Sequence, residues 1–270
     1  MSRKYIFPLL FLLAGSLPAL AQPPAKTPLP ADTIMDTTLW VQTSAEYRAI
    51  AEEVYAVATE KLLAIAKRKY IRPIAVVVDV DETILDNSAF QVHQIQAWKG
   101  FNPIDWDEWI SKRQAGAVPG AAEFLKTAAA HGIHVFYVTN RSCKPRESAP
   151  NEPCPQLDDT LTNLRSATGI NSIAKDDVLL SGEQPDWTSE KASRRDYIEK
   201  KYSIEMLVGD QLSDFIEGTT NEPRDVRDKL ESANAAHWGK DWFIIPNPMY
   251  GDYSNTDLLG TSKIGAMKGY

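Results

Sequence analysis

Apolar and polar positions along the 270-residue chain alternate between two periods. From residue 43 to 69, Tyr47, Ile50, Ala51, Val54, Tyr55, Ala58, Leu62, Leu63 and Ile65 recur at i, i+3 and i+4, which predicts a long amphipathic helix with Ser44 as its N-cap. Residues 73–79 are a short β-branched run with the composition of a strand buried on both faces. Further strands are predicted at 133–138, 177–180, 204–208 and 242–245, and helices at 121–130, 158–167, 188–200 and 220–240. Strands alternating with helices imply an α/β fold with a mostly parallel sheet covered on both faces. Residues 88–118 break the alternation; they are polar, hold Phe90, Trp98, Phe101, Trp106 and Trp109, and read with 40–70 as elements of a small, mainly helical cap.

Three predicted strands end in polar clusters: Asp79-Val80-Asp81-Glu82, Thr139-Asn140-Arg141, and Gly209-Asp210 with Asp214 four residues on. A parallel sheet brings such strand ends to one edge, where ligands of open α/β sheets bind. Carboxylates gathered there repel one another unless a cation joins them. An oxygen-only donor set without a His or Cys cluster favours Mg²⁺ over zinc. One carboxylate can then attack phosphorus, and a second can serve as general acid and then base. Thr139 and Asn140 offer phosphate donors, and Lys191 a positive charge, with Arg194 and Arg195 as nearby alternatives.

Composition narrows the partners. A formal charge of −7 supplies no basic field for a nucleic-acid polymer. The N-terminus reads as an export signal: Arg3 and Lys4, an apolar run over 6–13, and Ala19-Leu20-Ala21 before a cleavage expected ahead of Gln22. The mature protein is then periplasmic or secreted, with no stable membrane anchor; a retained N-terminal anchor is the competing reading. Residues 22–39, rich in Pro, Ala and Thr, read as an N-terminal arm, 40–253 as the folded domain, and 254–270 as a loosely ordered tail. Cys143 and Cys154 flank a Pro-rich loop; a disulfide and two free surface thiols are both compatible with it. His93, His131, His134 and His237 are scattered and read as structural or surface residues.

Asp79-Val80-Asp81-Glu82-Thr83 resembles the D-x-D-x-T signature of the haloacid dehalogenase (HAD) superfamily of phosphohydrolases. Thr139-Asn140-Arg141, Lys191 and Gly209-Asp210-Gln211-Leu212-Ser213-Asp214 follow in the order of its later motifs. Asp86-Asn87-Ser88, Arg113-Gln114, Ala117-Val118-Pro119-Gly120 and Pro246-Asn247 through Tyr250-Gly251-Asp252 extend the resemblance to the class C (non-specific) acid phosphatases, the bacterial surface 5'-nucleotidase type. It covers about residues 40–253. It implies a HAD-like Rossmannoid sheet with a cap, and an exported, Mg²⁺-dependent acid phosphatase acting on small phosphomonoesters, nucleoside 5'-monophosphates among them.

The resemblance also assigns roles. Asp79 is implied as nucleophile and metal ligand, and Asp81 as acid/base with its backbone carbonyl on the metal. Asp210 is the further ligand, and Asp214 a neighbouring acid that orients it or joins the metal. Thr139, Asn140 and Lys191 are implied as phosphate binders. Trp106 and Tyr250 are implied to grip the leaving group, Phe101 less so. The Cys143–Cys154 segment departs from the family as an insertion, and so does the lack of a Cys at the cleavage point. Three rival readings stand beside this one: a broad-specificity phosphatase, a phosphotransferase, and a surface binding protein that kept the fold without turnover. The oligomeric state, a homodimer included, stays open.

Overall fold

A computed structural model describes residues 34–269. The expected export signal and most of the arm lie outside the described residues. The chain begins with α1 (Met35–Thr43) and α2 (Ala45–Ala66), then β1 (Ile74–Val78) and β2 (Leu85–Asp86). Next come α3 (Ser88–Gln96), α4 (Pro103–Lys112), β3 (Gly116–Ala117), α5 (Ala121–Ala130) and β4 (His134–Ser142). The second half holds α6 (Pro155–Thr168), β5 (Val178–Ser181), α7 (Ala192–Glu199), β6 (Ser203–Gly209), α8 (Arg224–Ala233) and β7 (Trp242–Ile244). Two short helices, α9 (Thr256–Leu259) and α10 (Lys263–Ala266), follow.

The main sheet has five parallel strands in the order β5-β4-β1-β6-β7, so the acid-tipped β1 lies at its centre. Successive side chains of a strand face opposite ways. Val76 and Val78 accordingly join a core cluster with Tyr55, Leu62, Phe124 and Leu161 from α2, α5 and α6. Ala75 and Val77 face a second cluster with Phe136, Ile198, Leu207 and Phe215. That two-sided burial explains why β1 reads as a continuous apolar run. In register, Val78 pairs with Tyr137 and Val208, which brings Asp79, Thr139 and Asp210 to one edge.

Local chemistry sets the helix positions. Ser44 caps α2, its Oγ accepting from the Tyr47 backbone N–H at 2.9 Å. Tyr55 of α2 donates its hydroxyl to the Thr83 carbonyl at 2.6 Å and packs against Gly120. A Cβ on Gly120 would lie 2.9 Å from Tyr55 Cβ, and its φ of +87° is one that L side chains rarely adopt. The long helix therefore touches the underside of the loop that follows β1.

The structure departs from the sequence reading at three places. Residues 35–43, placed in the arm or at its border, form α1, because Val41 and Trp40 pack with Tyr47, Met249 and Tyr250. A Thr-rich segment with little periodicity gave no helix signal; tertiary burial supplied it. Strand β4 runs on to Ser142, so Thr139, Asn140 and Arg141 sit within it rather than beyond it. The expected loose tail contains α9 and α10. Cys143 and Cys154 are joined by a disulfide, with Cα atoms 4.7 Å apart.

Candidate active site

Asp79 extends β1 by one rung, its backbone N–H donating to the Val208 carbonyl at 2.9 Å. The chain then turns sharply. Leu85 N–H donates to the Val80 carbonyl at 2.8 Å, and Glu82 adopts a left-handed φ of 61°. Such a conformation costs a non-glycine residue on the order of 1 kcal/mol. Here it places the Glu82 carboxylate inward, where it receives the Asn87 N–H at 2.9 Å and the Tyr250 hydroxyl. Burial, with Asp81 nearby, holds the Glu82 carboxyl well above the usual carboxylate range.

Asp79, Asp210 and Asp214 are all buried, and one oxygen from each lies within 4.8 Å of the others. Lys191, just before α7, meets Asp79 and lies 2.6 Å from Asp214. Burial and the neighbouring acids push Asp79 upward despite Lys191. The two acids raise Lys191 against the opposing effect of burial, so its charge is retained. Burial and Asp214 push Asp210 up to about 7.

Asp210 and Asp214 are also held from behind. Asp210 accepts from Asn247 at 2.8 Å, Gln211 at 3.0 Å and Thr83 at 3.3 Å. Asp214 Oδ2 accepts the N–H groups of Asp210 and Gln211 at 3.0 and 2.8 Å, leaving Oδ1 for Lys191. A Cβ on Gly209 would sit 2.4 Å from Asp214 Oδ2, so glycine is what lets that carboxylate fold back under the strand. Three buried carboxylates with oxygen donors only, two of them held by amide N–H groups, suit a hard dication. Asp79 and Asp210 could offer it oxygens, and Asp214, whose oxygens already take the Asp210 and Gln211 N–H groups and Lys191, could join only by giving up Lys191.

The Asp81 side chain lies outside that cluster. Its carboxylate receives Arg141 Nη2 and Nε at 2.8 and 3.1 Å, Asn87 Nδ2 at 2.9 Å, and Thr139 Oγ1 at 3.2 Å. This leaves only the backbone of Asp81 for a cation, the route the resemblance implies. Arg141 is fully buried and carries no sequence-derived role, although its Thr-Asn-Arg motif was the available signal. Asn87 and Asn247 were likewise legible in motifs but without a task. Asn140 lines the pocket, and its side chain is tied to neighbours, donating to the Ser189 carbonyl at 2.9 Å and accepting from Arg194 at 2.7 Å. Arg194 also donates to the Thr139 carbonyl at 2.6 Å, and Arg195 to the Asp214 carbonyl at 2.8 Å. Neither alternative cation reaches Asp79 by a hydrogen bond; Lys191 does.

These groups open into a cavity of about 580 Å³. Phe90, Phe101, Trp106 and Tyr250 line its apolar side. Trp106 packs edge-on to Phe90 at 5.0 Å between centroids, with the Arg141 guanidinium 5.8 Å from its ring. Phe101 is 70% exposed and forms the outer lip. None of the four histidines lines this cavity.

Comparison with known proteins identifies the family. Residues 23–253 match the family described as HAD superfamily, subfamily IIIB (acid phosphatase). The class C acid phosphatase of Bacillus anthracis is similar at 33% identity and a TM-score of 0.73, over 83% of this chain and 87% of that one. Its tungstate-bound crystal structure is similar at 30% identity and a TM-score of 0.75, over 89% and 98% of the respective chains. Among curated proteins, the stem 28 kDa glycoprotein of Glycine max is 25% identical over 64% of this chain and 58% of its own length. Acid phosphatase 1 of Solanum lycopersicum is 26% identical over 64% and 57%. The matches thus span under three fifths of the length of these plant relatives. The matched family model covers most of the chain, and the protein belongs to the HAD superfamily, subfamily IIIB, the acid phosphatases.

Proposed function

We propose that the protein is an exported, Mg²⁺-dependent acid phosphatase that hydrolyses small phosphomonoesters, nucleoside 5'-monophosphates among them. One observation carries this reading. Asp79 lies on the cavity wall between Lys191 and two further buried acids, while a fourth acid, Asp81, is held separately by Arg141.

The separation divides the labour. An oxygen of Asp79 attacks phosphorus, forming an aspartyl-phosphate as the ester P–O bond breaks. Asp81 gives a proton to the departing oxygen. Water then attacks phosphorus, Asp81 takes up its proton, phosphate departs and the Asp79 carboxylate is restored. Lys191 and Asn140 bind the phosphoryl oxygens and stabilise charge that develops on them, while Thr139, expected to do the same, is buried with its hydroxyl donated to Asp81 and steadies that acid instead. A bound Mg²⁺ would neutralise the acids and polarise the phosphoryl group. The tungstate in the similar Bacillus anthracis structure, a tetrahedral oxyanion like phosphate, supports an oxyanion site in this fold.

Trp106 and Tyr250 present aromatic faces to the leaving group. Stacking on a nucleobase is worth roughly 1–3 kcal/mol per base. This favours an aromatic leaving group over a purely broad-specificity site. Phosphate release from AMP, an aryl phosphate and glycerol phosphate, with and without EDTA, tests the proposal. AMP is expected to give the highest kcat/KM, with activity lost in EDTA and restored by Mg²⁺. Equal kcat/KM for AMP and glycerol phosphate points to a broad phosphatase, and no release from any ester with Mg²⁺ present sinks the reading.

A further inference from the structure

The loop closed by Cys143 and Cys154 takes no part in the chemistry above, yet it carries a tie between cap and core. Arg146, on that loop, reaches two acids on two helices. Its Nε and Nη2 meet the Asp107 carboxylate of α4 at 2.7 and 2.9 Å, and Nη2 also meets the Asp107 carbonyl at 3.2 Å. Its Nη1 meets Asp159 of α6, which is buried and also receives Arg113 at 2.6 Å. Gln156 of α6 donates to Asp107 at 2.9 Å and accepts from the Lys144 backbone at 3.2 Å.

The loop is itself fixed at its root. Cys143 directly follows β4, and its N–H donates to the Ser181 carbonyl of the β5 edge at 2.8 Å. The bridge to Cys154, 11 residues on and next to the start of α6, limits how far the loop can swing. A bidentate guanidinium–carboxylate pair fixes orientation as well as distance. A continuous tie therefore runs from the strand bearing Thr139, through the closed loop and Arg146, to Asp107. The residue before Asp107 is Trp106, which lines the cavity above Asp79.

We propose that Arg146 is a positioning residue for leaving-group recognition. Together with the disulfide it sets α4, and hence the Trp106 face, relative to the phosphate-binding edge. The inference rests on the reading of Trp106 as a leaving-group contact.

The test measures kcat and KM for AMP and for glycerol phosphate in wild type, Arg146→Met, Arg146→Lys, the double variant Cys143→Ser/Cys154→Ser, and Trp106→Ala. Arg146→Met and the double serine variant are expected to raise the KM for AMP about tenfold, part of what one stacked base contributes, with kcat within about twofold. Glycerol phosphate kinetics stay unchanged in the same preparations, which reports intact folding. Arg146→Lys, which keeps the charge without the fork, falls between. A parallel loss for both esters assigns Arg146 to general stability and overturns the proposal. So does an unchanged KM for AMP in Arg146→Met while Trp106→Ala raises it. If Trp106→Ala itself leaves AMP binding unchanged, the leaving-group reading fails, and the proposal fails with it.

Discussion

Arg141 Nη2 lies 2.8 Å from Asp81 Oδ1, and both partners sit at the floor of the acid-lined cavity with the arginine wholly buried. The guanidinium uses Nε on the same carboxylate and Nη1 on Thr160 at 3.1 Å, so Asp81 is held in one orientation. Replacing Arg141 by Met leaves the fork's work undone while filling similar volume. Proton delivery to the departing oxygen should suffer most. The expected loss in kcat/KM is about 10²-fold for alkyl phosphates and much smaller for p-nitrophenyl phosphate, whose leaving group needs little protonation. Rate constants across a series of esters graded by leaving-group acidity check this; a uniform loss would assign Arg141 to packing alone.

Asp79→Asn is expected to abolish turnover, with at least about a 10³-fold drop, because no other carboxylate stands where the nucleophile does. Asp81→Asn should slow both protonation and intermediate breakdown. Rapid-quench trapping of phosphoenzyme separates the two: none forms in Asp79→Asn, and it persists in Asp81→Asn with a good leaving group. Near-wild-type rates in either variant would reassign that role.

Asp210 supplies a pH dependence whose sign follows from burial. Its carboxyl is pushed up to about 7, against about 4 in an unfolded chain. The folded metal-free protein thus keeps a proton that the unfolded chain has released. Its stabilising effect is complete below the unfolded value and is lost as pH rises through about 7. A cation needs the same group as carboxylate, so cation binding strengthens over that interval. The rise in melting temperature produced by Mg²⁺ should be small near pH 5.5 and level off above about pH 7.5. A shift of constant size across that range contradicts the assignment.

Gly209→Ala tests the fold-back of Asp214. The added methyl would collide with the Asp214 side chain at 2.4–2.7 Å, displacing the carboxylate that meets Lys191. The expected cost is roughly 1–3 kcal/mol in stability, with weaker Mg²⁺ affinity besides. Denaturant unfolding and calorimetric titration measure the two effects separately.

The sheet was legible because buried parallel strands have no polar face to hide them, and β1 is apolar from Ile74 to Val78. The gathered acids were legible because strand ends of a parallel sheet share an edge. What the sequence concealed has physical reasons. Helix α1 is made by burial of Val41 against Met249, over 200 residues away. Arg141 looked like one member of a polar cluster, since nothing local reveals that its partner is Asp81, 60 residues earlier. Glu82 seemed one more strand-end acid; its left-handed backbone and its bond to Tyr250 depend on the whole loop. Trp106 was visible as an aromatic, but nothing local reveals that its neighbour Asp107 pairs with Arg146, 39 residues later on a loop that the resemblance marks as an insertion.

The backbone rung between Asp79 and Val208 makes the proposed nucleophile part of the central ladder. Opening that site requires breaking the middle of the sheet, so its hydrogen exchange should follow global unfolding. Helix α4 lies off that ladder, held by the buried Ile110, by Trp109 donating to Asn87 at 2.8 Å and by the Arg146–Asp107 pair. Because the helix makes no rung of the sheet, its amides are expected to exchange before global unfolding. On the proposed reading, chemistry and substrate choice then sit on different parts of the fold, and substitutions around α4 are expected to broaden or narrow what the protein accepts while the Asp79 site keeps its shape.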